Sequence, residues 1–319
     1  MACGGDRIEV ANRGQPRVSS RRVPSARQCV FRDRKVVVSV NAIDPRDPKT
    51  PRLDPGAVEI SKNVVRILAP NPSPMTLDGT NTYLVSDSGR SRVIVVDPGP
   101  AAIEHLEAIV LEIRSRQLGV QSVVTTHAHP DHAALGLQLA DELGVPFITA
   151  EEVANSALAH RMLADCDIYI LETPGHSGDS LSYVSADGVL MCGDHLLGRG
   201  TTVILHPDGS LRQYLGSLAK VEAADFVTIA PGHGPAMDAR LGRSVIAYYR
   251  MHRLERVEQI RHHLEAGLRS VPDLVSAIYG PIENPIVAWS AKASTLATIT
   301  YLSEEGDWSL SGDLVVPMH

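Results

Sequence analysis

Three observations predict an α/β protein with a helical C-terminal extension. From Ala57 onward β-branched runs alternate with segments of helical apolar spacing, polar glycine-flanked loops follow the strands, and past His233 the pattern turns helical. Val64–Ala69, Asn81–Ser86 and Arg92–Val96 read as strands, the last two joined through Asp87–Arg90 as a hairpin. Ile103–Arg116 has helical spacing, and Gln121–Thr126 is a short β-branched strand. A helix at Ala133–Leu143, a strand at Phe147–Thr149, a helix at Glu151–Leu163 and a strand at Ile168–Glu172 continue the alternation. A second hairpin, Leu181–Ser185 and Val189–Cys192, turns at Ala186-Asp187-Gly188, and helix Leu211–Val221 and strand Phe226–Ile229 follow. The last third predicts helices at Ala239–Leu268, Pro272–Tyr279 and Ala291–Ser303, then a small hairpin within Glu304–Val316, an order similar to a winged helix.

Composition narrows the function classes. Hydrophobic residues make up 44% and charged residues 21%, as in ordinary globular proteins. No apolar stretch approaches the roughly 18 residues of a membrane-spanning helix, and no charged start leads into an apolar signal region. Cys3, Cys29, Cys166 and Cys192 lack the paired spacing of a zinc knuckle or disulfide framework, which fits a reducing compartment and predicts a cytoplasmic protein. The net charge of −7 offers nucleic acid no general attraction, yet the first 50 residues carry eleven Lys and Arg against five Asp and Glu. That segment is rich in Arg, Ser, Gly and Pro and reads as a disordered leader over 1–50, with an organelle-targeting peptide or a mistaken start as the alternatives. The main domain is expected over 51–238 and the helical region over 239–319; oligomeric state has no signal.

The most informative stretch is Thr125-Thr126-His127-Ala128-His129-Pro130-Asp131-His132, which leaves a strand and enters a helix. Neutral imidazoles and carboxylates are ligands for a borderline cation. Residues two apart on an extended segment share a face, so His127 and His129 can grip one ion. Asp131 and His132 follow where the backbone turns, and can point toward a second ion beside the first. Further candidates sit directly after predicted strands beside glycine: His176 in Pro174-Gly175-His176, Asp194 in Cys192-Gly193-Asp194, and His233 in Pro231-Gly232-His233. Cys192, beside Asp194, reads as a buried strand thiol and not as a nucleophile.

These residues resemble, in order, the sequential motifs of the metallo-β-lactamase superfamily, and Asp97 in Val95-Val96-Asp97-Pro98-Gly99 matches the first of them. The resemblance implies an αββα sandwich with the site at one edge of the paired sheets. It implies that His127, His129 and His176 hold one metal, that Asp131, His132 and His233 hold the other, that Asp194 bridges them and that Asp97 orients ligands from behind. Nitrogen and oxygen donors without a thiolate favour two zinc ions and leave iron and manganese open. The chemistry implied is hydrolysis by a metal-bridging hydroxide, with Asp131 orienting the nucleophile or relaying its proton.

Narrower matches come from Asn71-Pro72-Ser73-Pro74-Met75-Thr76-Leu77-Asp78-Gly79-Thr80-Asn81-Thr82-Tyr83-Leu84 and Gly198-Arg199-Gly200-Thr201-Thr202-Val203, which resemble the beta-lactamase-like protein 2 group. They make Asn81 and Thr201 candidate substrate contacts. Members of this pattern include endoribonucleases of single-stranded RNA, the reading toward which the sequence leans, with Arg250, Arg253, Arg256 and Arg261 as candidate phosphate contacts. The alternatives are a thioesterase on carrier-bound or small acyl thioesters and, from another class, a persulfide dioxygenase with a single iron. The 17 residues between His176 and Asp194 and the 38 between Asp194 and His233 leave no room for the inserted domain of the large RNA-processing nucleases.

Overall fold

The computed structural model describes Met1 and residues 53–318. The predicted leader therefore lies outside the described residues, Met1 apart. A six-stranded sheet runs in the order β1 (Gly56–Glu59), β2 (Val64–Leu68), β3 (Asn81–Ser86), β4 (Arg92–Val96), β5 (Gly119–Val124), β6 (Phe147–Ile148). It is antiparallel through β4, whereas β4–β5 and β5–β6 are parallel, joined by α1 (Ile103–Ser115) and by α2 (Pro130–Ala133) with α3 (Gly136–Leu143). After α4 (Ala150–Asn155) and α5 (Ala157–Ala164) come β7 (Tyr169–Glu172), β8 (Leu181–Val184), β9 (Val189–Met191), α6 (Leu211–Ala223), β10 (Thr228–Ala230) and β11 (Met237–Asp238). These five strands form a second sheet, ordered β11-β10-β9-β8-β7. The C-terminal region consists of α7 (Ala239–Glu265), α8 (Val271–Tyr279), α9 (Pro285–Glu304) and the hairpin β12 (Trp308–Ser311) with β13 (Leu314–Pro317).

The two sheets face each other across one apolar layer. Val64, Tyr83, Val85, Ile94, Val96 and Val124 of the first pack with Leu181, Tyr183, Val189, Met191 and Ala230 of the second. Strand alternation sends the intervening residues outward. Val65, Ile67, Leu84, Val93, Val95 and Val123 pack on α1 and α3, while Leu190 and Ile229 pack on α6 and α7. The layers are helix, sheet, sheet, helix. On α1, the stripe Leu106, Ile109, Val110 and Ile113 is buried, each side chain contributing about 1.5–3 kcal/mol. No helix among the described residues is long and apolar enough to cross a membrane.

Departures from the sequence expectations have local causes. Pro130, whose fixed φ suits a first helical position, starts α2 three residues before the predicted Ala133. The helix expected over Glu151–Leu163 is broken at Ser156, which is extended and accepts from Ala159 N at 3.2 Å to cap α5. Asn284 caps α9 and Pro285 opens it, six residues before the predicted start. β1 went unpredicted because all four of its residues are exposed, and β11 because it has only two.

Candidate metal centre

Each candidate ligand leaves a strand end. Beyond β5, Thr126 is pinned to Asp97: its backbone N donates to Asp97 Oδ1 at 2.6 Å and its hydroxyl to Oδ2 at 2.8 Å. Asp97 follows β4 with φ +53°, a left-handed conformation that costs roughly 1 kcal/mol or more in a residue other than glycine. Its N–H donates to Val124 O at 2.9 Å and its carbonyl accepts from Thr82 Oγ1 at 2.6 Å, so the strained turn is held from both sides. His127 and His129 then precede α2, on which Asp131 and His132 sit. Gly232 lies against two of the ligands, since a Cβ there would be 2.6 Å from both Asp194 Oδ1 and His132 Cε1.

Four imidazoles are oriented through Nδ1. His132 Nδ1 donates to Asp97 Oδ2 at 2.9 Å, His176 Nδ1 to Val203 O at 2.6 Å and His233 Nδ1 to Gly79 O at 3.2 Å. The Thr126 hydroxyl gives its single proton to Asp97, so it accepts from His127 Nδ1 at 3.0 Å. All four rings then turn Nε2 inward. His127 Nε2 and His176 Nε2 come within 2.8 and 3.1 Å of His129 Nδ1, and His132 Nε2 within 3.3 Å of His233 Nε2.

The donors fall into two groups. His127, His129, His176 and Asp194 offer ligand atoms within 4.8 Å of one another, and so do Asp131, His132 and His233. Asp194 spans them: Oδ2 is 3.7 Å from His176 Nε2, while Oδ1 is 3.4 Å from His132 Nε2 and 3.3 Å from His233 Nε2. Asp131 Oδ2 lies 3.2 Å from His233 Nε2.

Burial holds the His127 imidazole well below its usual range and His176 down at about 4, so both are neutral donors at physiological pH. Burial pushes His132 and His233 the same way, but carboxylates overcome it. Asp97 and Asp194 raise His132 well above its usual range, and Asp194 and Asp131 raise His233 to about 9. Burial of Asp194 is outweighed by His233 and His132, which hold its carboxyl well below the usual range.

Comparison with known proteins identifies the family. Residues 75–163 match the family model of the metallo-beta-lactamase superfamily. The chain is 30% identical over 288 residues to a beta-lactamase-like protein 2 homolog of Drosophila melanogaster, covering 81% of this chain and 94% of the relative. The chain belongs to the metallo-beta-lactamase superfamily. It is also 28% identical to the lactamase-like protein aptB of Emericella nidulans, over 73% of this chain and 78% of that protein. A beta-lactamase domain protein from Burkholderia ambifaria shares the fold at a TM-score of 0.68 and 22% identity, over 88% of this chain and 98% of that one. A metallo-beta-lactamase family protein from Thermus thermophilus does so at 0.63, with 22% identity, over 81% and 100%.

Divalent metal binding goes with this metal-dependent hydrolase fold, and the residues present fit it. Inward Nε2 lone pairs converge at hydrogen-bonding distance, and the buried Asp194 Oδ1 has no hydrogen-bond partner. A cation resolves both. Cys192 is buried, its thiol pushed up by burial to about 12, as expected of a strand thiol.

Asn81, Thr201 and four arginines of α7 were the other sequence candidates. Asn81 is fully buried and its Nδ2 donates to Pro231 O and Gly234 O, both at 2.9 Å, so it braces the His233 loop from within. Thr201 is half-buried, and its neighbour Thr202 places Oγ1 3.0 Å from His176 Nδ1. The α7 arginines each contact a protein group. Arg250 pairs with Glu222 at 2.7 Å, Arg256 lies over the Tyr279 ring, Arg261 pairs with Glu258, and Arg253 is buried with its guanidinium donating to Thr202 O. Helical spacing placed them on α7 but could not show which carboxylates and rings lie opposite. Thr126 and Thr202, adjacent to motif residues, were missed because a hydroxyl behind a ligand leaves no spacing signal.

Proposed function

We propose that this member of the superfamily is a dinuclear hydrolase, with His127, His129 and His176 holding one ion, Asp131, His132 and His233 the other, and Asp194 serving both. The observation that carries this reading is the meeting of two donor groups at Asp194, 3.3 Å from His233 and 3.7 Å from His176. A single-iron oxygenase resembles the same His and Asp motifs and would fill only one of the groups, so metal content separates the two readings. Zinc suits the all-nitrogen-and-oxygen set, and two such ions would supply Lewis acidity and lower the pKa of a water molecule toward neutrality.

The protein's own residues do the rest. Asp97 and Val203 O fix the rings of His132 and His176, so the donors are preorganised. Asp131 is the most open of the carboxylates, its side chain 30% exposed, which supports a role for it in orienting the nucleophile or relaying its proton. The leaning to single-stranded RNA drew on the resemblance to the beta-lactamase-like protein 2 group, with four arginines as added phosphate contacts, and those four are engaged with the protein. That favours the alternative substrate class, a small carboxylic ester or thioester, with RNA cleavage as the second reading.

Elemental analysis of the purified chain, with parallel assays on an acyl thioester and on unstructured RNA, tests this. Two zinc ions and thioester turnover lost in both Asp194→Ala and His127→Ala are expected. Full activity in either variant would defeat the proposed site, and RNA cleavage alone would move the assignment to an endoribonuclease. One iron with neither hydrolysis would point to persulfide oxidation.

A further inference from the structure

Arg253 lies on α7, in the region the sequence sets apart as an extension, yet its side chain is buried beside the metal-centre loops. Its guanidinium donates to Thr202 O and lies 5.5 Å from the centre of the Tyr214 ring. Among the described residues no carboxylate pairs with it, and Nε has no hydrogen-bond partner. A buried cation without a counter-ion is costly to maintain, so its contacts are informative. Both lead to ligands. Thr202 Oγ1 stands 3.0 Å from His176 Nδ1, and the next residue supplies the carbonyl that accepts from the same nitrogen at 2.6 Å. The Tyr214 hydroxyl donates to His195 O at 2.7 Å, next in sequence to Asp194.

One turn earlier on α7, Tyr249 grips the same loop. Its hydroxyl accepts from Leu197 N and donates to Gly200 O, both at 3.0 Å. The loop thus has two anchors on α7, and the end held by Arg253 sets the His176 ring. We propose that Arg253 is a positioning residue of the metal centre, holding the Thr202–Val203 segment so that His176 presents Nε2 inward. The C-terminal region is thereby part of the apparatus that shapes the ligand set. This inference rests on the metal-ligand reading above.

The test is zinc binding by the metal-stripped full chain, read by competition with a chromogenic chelator, together with the melting temperature of the metal-free form. Arg253→Met keeps the packed stem and removes the donor. It is expected to weaken one of the two binding steps by up to about 10-fold, the low end for a group directly behind a ligand because Arg253 acts through Thr202 and Val203, with the other step and the metal-free melting temperature little changed. Arg253→Lys, which restores a charged donor, should recover part of the loss. If Arg253→Met does not fold, Tyr249→Phe removes only the hydroxyl from the same loop and should show the same selective weakening. Unchanged binding in the variants overturns the proposal, as does equal weakening of both steps with a lower metal-free melting temperature. A wild-type chain that binds no zinc would overturn the metal centre itself, and the inference with it.

Discussion

Asp97 Oδ2 stands 2.9 Å from His132 Nδ1, both groups buried, while the Asp97 backbone sits at φ +53°. One carboxylate thus orients an imidazole from behind and pins Thr126, and through it His127. Asp97→Asn separates this role from the backbone strain, because asparagine tolerates the left-handed region. The amide cannot accept from all three donors. Zinc affinity measured by chelator competition should fall about 10–100-fold, with the fold retained. Unaltered affinity would show that the Asp97 carboxylate does not set the ligands.

The part of the site legible in the sequence was the part with local spacing. His127, His129, Asp131 and His132 fall within one strand-to-helix turn, and His176, Asp194 and His233 each follow a strand beside a glycine, so the donors could be read from the chain. What orients them comes from afar. Val203 O reaches His176, Gly79 O reaches His233, and Arg253 reaches Thr202 across 51 residues, pairings that only the packed layers create. The paired sheets were likewise implied by family resemblance, since alternation reports that a strand has a buried face without saying what covers it.

Gly232 offers a steric test. Its backbone is fixed on both sides, N donating to Gly193 O at 2.7 Å and O accepting from Asn81 N at 2.8 Å. A methyl group there must displace Asp194 Oδ1 or His132, each 2.6 Å from the Cβ position. Gly232→Ala is expected to lower the zinc stoichiometry and, with it, hydrolysis, while far-ultraviolet circular dichroism stays near wild type. Two tightly held zinc ions in this variant would mean that the loop and the ligands can yield.

The metal-free protein should have a stability maximum near pH 6.5. Burial pushes His105 down to about 4 and His195 to about 3, so below the unfolded value near 6.5 the unfolded chain binds protons that the folded one does not. Their contribution is full above 6.5 and lost as pH falls. His233 works oppositely: burial lowers it, but Asp194 and Asp131 raise it to about 9, so its contribution is full below 6.5 and lost as pH rises through 9. Each such group changes stability by at most about 1.4 kcal/mol per pH unit. Melting temperatures in chelator should decline on both sides of the maximum, whereas zinc, which requires deprotonated imidazoles, should flatten the alkaline side. A metal-free profile still rising at pH 8.5 would contradict the assignment for His233.

The chain cut after Asp238 should not fold as a stable domain. Val245, Ile246, Tyr249, Val257 and Ile260 of α7 and Ala297, Ile299 and Leu302 of α9 share one buried cluster with Leu190, Tyr214, Leu218 and Ile229. Removing 239–319 strips the outer face of the second sheet and of α6, exposing side chains whose burial contributes about 1.5–3 kcal/mol each, against a total stability of roughly 5–15 kcal/mol. It also removes Tyr249 and Arg253 from the Leu197–Val203 loop. We expect residues 51–238 expressed alone to be aggregated or to lack a cooperative thermal transition. A soluble, cooperatively melting 51–238 fragment that binds two zinc ions would instead establish an autonomous catalytic domain and make the helical region an accessory.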